Sequence, residues 1–115
     1  MLYNNSISLT WNNSYSLFGT NFYQATHSGV YVIYFYNNYT NIVIKVGQSE
    51  FLANRIPDYR IDRQILNHCR NPTISYAKIP VSYLDGVERY LGEHYCPLVC
   101  KRLPRALPIR VNLPF

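Results

Sequence analysis

A chain of 115 residues, 48% of them hydrophobic, suits one small domain with a single modest core and excludes a disordered chain. Eleven Lys and Arg against six Asp and Glu leave a formal charge of +5, which favours a polyanionic partner through phosphate neutralisation. No apolar run approaches a membrane span, and the start MLYNNSISLTWNN has neither part of a signal peptide. Three cysteines, Cys69, Cys96 and Cys100, fit a reducing compartment, so a soluble cytoplasmic protein with no membrane partner is expected.

Residues 1–28 scatter Trp11, Tyr15, Phe18, Phe22 and Tyr23 among Asn and Ser. Alternation in SISLTW predicts a short strand. The segment reads as an N-terminal extension that either packs on the core or mediates association. Residues 30–36 form a nearly unbroken β-branched and aromatic run, predicting a central strand buried on both faces. Turn chemistry at 37–41 and a second apolar run at 42–46 complete an antiparallel hairpin. Strict alternation sets Ile42, Ile44 and Val46 on one face and Val43, Lys45 and Gly47 on the other.

Lys45 is the only charge in that run. A lysine there lies at an edge, snorkels outward, or is placed for chemistry. A loop with an odd number of residues would set it directly across from Tyr31, a register that the sequence leaves open. Ser49 has the chemistry of an N-cap for a short helix reaching about Ile56, which Pro57 ends or bends. A second helical piece follows at 61–68 and a third strand at 73–80. Leu84, Val87, Leu91 and Tyr95 predict a helix over 82–95. Prolines 97, 104, 108 and 114 then forbid regular helix and leave an extended tail. The expected fold is α+β: a small three-stranded antiparallel β-sheet flanked by helices, occupying 29–115.

Glu88 lies within the apolar stripe of the 82–95 helix. A carboxylate there is costly to bury unless it is paired or binds a metal. An ion pair or a place at the rim of the stripe would explain it equally. Arg55, on the helix after a glycine-containing turn, suits a phosphate clamp or an ordinary solvated surface. Tyr31 is one of twelve tyrosines, and would act as a base only with cationic neighbours. His94, Cys96 and Cys100 match no standard zinc spacing, and buried thiols explain the cysteines better. There is no P-loop, dinucleotide-binding glycine pattern or nucleophile elbow.

Taken together, these residues resemble the GIY-YIG nuclease family. Gly29-Val30-Tyr31 matches its first motif, and Lys45-Val46-Gly47, followed by Gln48-Ser49, its second. Arg55 follows Gly47 at the family's usual spacing. Glu88 matches the metal-binding glutamate and Asn112 the asparagine near the end of the domain. Lys45 replaces the second-motif tyrosine, as in some restriction and phage endonucleases of the family, and Pro57 is a further departure.

The resemblance implies a DNA endonuclease of restriction, phage or mobile-element type using one Mg²⁺ or Mn²⁺ ion held by Glu88. It further implies that Tyr31, its pKa lowered by Lys45, handles the attacking water, while Arg55 neutralises phosphorane charge. Gln48, Ser49, Arg60, Arg63, Lys101, Arg102, Arg105 and Arg110 are the candidate nucleic-acid contacts. A homodimer would permit cutting of both strands. The alternative is a catalytically inactive nucleic-acid-binding module that keeps the fold.

Overall fold

The protein is described from a computed structural model over residues 6–19, 21–99 and 102–115. Its centre is the hairpin of β3 (Gly29–Asn37) and β4 (Thr40–Ser49). The turn is two residues long: Asn38 and Tyr39 have φ of 50° and 65°, the left-handed pair that a tight hairpin with right-handed strand twist requires. Asparagine tolerates that region. Tyr39 is almost wholly in solvent, at 94% exposure, so its left-handed φ carries only the local backbone cost of the tight turn.

An even loop by itself would set Val32 across from Lys45. Instead the register shifts between Ile33 and Tyr34: Tyr34 faces Val43, Ile33 faces Lys45, and Ile44 is the extra residue of a β-bulge. Tyr31 consequently faces Gly47, not Lys45. The expected strict alternation fails for the same reason. Val43 and Val46 pack together on one side of the sheet, and Ile44 on the other. A one-residue slip exchanges the faces of everything beyond it. The bulge therefore turns Lys45 onto the side occupied by Tyr31.

β5 (Thr73–Lys78) pairs antiparallel with the other side of β3, so β3 is central, as expected. The sheet has four strands and not three. β2 (Trp11–Ser16) lines the outer side of β5, giving the order β2-β5-β3-β4. Of the two roles expected for residues 1–28, their described part packs on the core, where Leu17, Phe22 and Ala25 are buried. A bulge between Asn12 and Tyr15 interrupts the alternation of β2, which hides the strand among its Asn and Ser residues. The tail is likewise more than a surface wrap. β1 (Ser6–Ile7) pairs in parallel with β6 (Arg110–Val111), and Ile109 and Val111 are buried.

Helical layers cover both faces. On one side lie α1 (Leu52–Arg55), a 3-10 turn (Ile56–Ile61) and α2 (Arg63–Leu66), over a core that includes Phe22, Ile33, Ile56 and Ile65. On the other lies α3 (Leu84–Tyr95), which buries Leu84, Val87 and Leu91 against Val30, Val32 and Val46. Each such side chain contributes about 1.5–3 kcal/mol by leaving water. α3 ends where Cys96 turns left-handed, with φ of 46°. The chain then crosses the β4 edge, where the N–H groups of Leu98 and Val99 donate to the Val43 and Ile44 carbonyls at 3.1 and 2.8 Å. That pairing covers the edge at the bulge and leaves residues 45–48 without it.

Candidate active site

At this uncovered part of β4 lies a cleft of about 210 Å³. Tyr31 from β3, Lys45 from β4, Arg55 from α1 and Glu88 from α3 all line it. The cleft straddles the sheet edge, which is how residues from both helical layers meet. All four residues expected to carry chemistry are brought together here.

Tyr31 is held by what faces it. Its ring occupies the volume that a side chain on Gly47 would fill, with Cε2 only 2.8 Å from the position a Cβ would take. Its hydroxyl hydrogen-bonds the hydroxyl of Tyr59, and the two rings are tilted at 5.3 Å between centroids. Tyr59 is also flanked by both cations. The Lys45 Nζ lies 5.6 Å and the Arg55 Cζ 5.2 Å from its ring centroid, within cation–π range. Lys45 is only 4% exposed, so it neither snorkels outward nor solvates freely at the edge.

Burial drives the Tyr31 hydroxyl well above the ordinary tyrosine pKa, and Tyr59 adds to the rise; Arg55 opposes both more weakly. This corrects the expectation that cationic neighbours lower it. Desolvation of the phenolate outweighs the attraction of a half-exposed guanidinium. Arg55 itself is held above its ordinary pKa, chiefly by Tyr59 and against partial desolvation. It also pairs with Asp58 at 3.4 Å, an exposed contact of little energetic weight.

Glu88 is half-buried and is the only acidic residue lining the cleft among the described residues. α3 is tied to β4 next to it by Gln48 Nε2 donating to Asp85 Oδ1 at 2.7 Å. Among the described residues no group of three His, Cys, Asp or Glu side chains gathers, so a small divalent cation here would take one carboxylate from the protein and fill its other positions with water.

The remaining expected site residues divide. Gln48 lines the cleft. Ser49 does not cap α1; its Oγ accepts from the Phe51 N–H at 3.0 Å, and Phe51 takes the N-cap place. Arg60 is committed inward: Nε donates to the Leu17 carbonyl at 3.0 Å, and its other nitrogens bond Gly19 O and Tyr23 Oη. Arg63, Arg102, Arg105 and Arg110 are exposed and away from the cleft lining. Lys101 and Cys100 lie outside the described residues. Asn112 is not in the cleft: its side-chain amide bonds both the N–H and the C=O of Leu9, at 2.6 and 2.9 Å. Gly29 permits close approach of the Ala77 carbonyl and Leu52. His94 packs against Tyr90 and Tyr95.

Tyr59 is the central residue that sequence reasoning missed. Pro57 reads as a stop, yet it sits in the first turn of the 3-10 helix, where its missing N–H is not needed. The chain stays helical through it, so Tyr59 lands one turn beyond Arg55 on the same side. The Arg55–Tyr59 spacing was the available signal. Compared with family models, with curated proteins and with solved structures, the chain matches none.

Proposed function

We propose that this protein is a divalent-cation-dependent phosphodiester hydrolase acting on DNA, with its active site in the cleft at the β4 edge. The convergence of Tyr31, Lys45, Arg55 and Glu88, from four separate elements, is the observation that supports it. The resemblance to GIY-YIG nucleases rests on the same residues in the same order. Lys45 and Arg55 offer fixed positive charge to one phosphate group and to the charge that builds on it as a fifth oxygen bonds. The two tyrosine hydroxyls orient the attacking water. Tyr31 keeps its own proton, so it positions and does not abstract.

The water oxygen bonds to phosphorus and gives its proton to a solvent water at the open mouth, while the bond to the leaving sugar oxygen breaks and that oxygen takes up a proton from solvent. Glu88 would hold Mg²⁺ or Mn²⁺, which supplies Lewis-acid stabilisation of the phosphate and the leaving oxygen. Exposed Arg63, Arg102, Arg105 and Arg110 add a diffuse attraction for the DNA backbone, and pairing of two copies would serve cutting of both strands.

One observation favours a second reading, a nucleic-acid-binding module that does not cut: the Tyr31 hydroxyl is buried and already bonded to Tyr59. Cleavage of plasmid and single-stranded DNA with Mg²⁺ or Mn²⁺, comparing wild type with Glu88→Ala, separates the two. Cutting that depends on Glu88 supports the hydrolase. Tight binding without cutting supports the module.

A further inference from the structure

Beside the cleft lies a second, shallower hollow of about 350 Å³, and Arg55 lines both. Its chemistry differs from that of its neighbour. Phe51 presents an aromatic ring at 41% exposure and belongs to neither core cluster. Asn54, Glu50 and Asp58 supply an amide and two carboxylates. The side chains of Asn54 and Glu50 are exposed and make no hydrogen bond to any described residue.

We propose that this hollow receives one unstacked nucleobase adjoining the phosphate bound in the cleft, giving the protein a preference for single-stranded or locally opened DNA. The inference rests on the phosphodiester assignment of the cleft. Charge sorts the two parts of a nucleotide between the two hollows. Asp58 is paired with Arg55 at 3.4 Å, which leaves the Glu50 carboxylate to repel phosphate from this hollow and to accept from the exocyclic amino group of a base. Arg55 and Lys45 draw the phosphate to the other. An exposed aromatic ring at the rim is the surface on which a base released from its stack gains most. A base paired and stacked within a duplex cannot enter, because both of its faces are occupied by neighbours.

The test uses a short single-stranded DNA carrying one 2-aminopurine, whose fluorescence falls on stacking, and the same sequence as a duplex. Binding is measured with Glu88→Gln protein so that no cutting intervenes. Quenching at one position is expected, and the preference for single strand over duplex should fall about tenfold in Phe51→Ala. Phe51→Trp should restore it, and Tyr39→Gly at the distant hairpin tip should change nothing. An unchanged preference in Phe51→Ala, with binding that still requires Arg55, overturns the base site and leaves the cleft assignment standing. Absence of binding to either DNA overturns both.

Discussion

The ring of Tyr31 lies over Gly47, its cross-strand partner, in the space that any side chain there would occupy. Gly47 has no left-handed φ, so the requirement for glycine is steric and not conformational. Gly47→Ala forces a fully buried ring to move. The expected cost is about 1–3 kcal/mol of stability, as for other overpacked cores. Urea unfolding measures it. Tyr31→Leu in the same background should recover part of the loss, since it removes the ring that is struck.

Glu88→Gln preserves shape and removes the charge. Cleavage should drop by on the order of a hundredfold or more, with DNA binding held within about threefold. Single-turnover rates and equilibrium binding distinguish these. Equal losses in both would mean that Glu88 supports the fold of the cleft and not the reaction.

The raised pKa of Tyr31 makes stability fall in alkali. Above the unfolded tyrosine value of about 10, the unfolded chain releases a proton that the folded chain keeps, so stability is full below that pH and declines above it. Tyr95, pushed up to about 12 by burial, acts in the same direction. Unfolding free energy followed upward from about pH 9 should decline less steeply in Tyr31→Phe than in wild type.

Arg60→Ala removes donors to the Leu17 and Gly19 carbonyls and to Tyr23. A loss of about 1–3 kcal/mol is expected from carbonyls left with poorer partners. DNA binding should keep its salt dependence, because the guanidinium faces inward. Thermal melting and a salt titration of binding report the two quantities separately.

The strands 30–36 and 73–80 and the helix at 82–95 were legible because each has a local cause in residue type or period, and the residues that line the cleft could be picked out as a set. What escaped were consequences of one residue inserted or one residue tolerated. The bulge at Ile44 reversed the faces of β4 and changed the partner of Tyr31. Neither alternation nor turn chemistry encodes such an insertion, since both Ile44 and its neighbours are apolar. β2 was concealed by its own bulge, and Tyr59 by a proline that begins one helical turn while ending another. Asn112 was singled out only by its place near the end of the domain. Its amide ties the end of the chain to the backbone of Leu9.

Because the cleft straddles the β4 edge, its parts come from near and from distant segments of the chain. Tyr31, Lys45 and Gly47 come from one hairpin, whose tight turn makes it quick to form. Glu88 comes from α3, on the opposite face, so its place in the cleft depends on a contact of long sequence separation. Loosening α3 would therefore draw Glu88 away from Tyr31 and Lys45 while leaving the hairpin's part of the cleft in place.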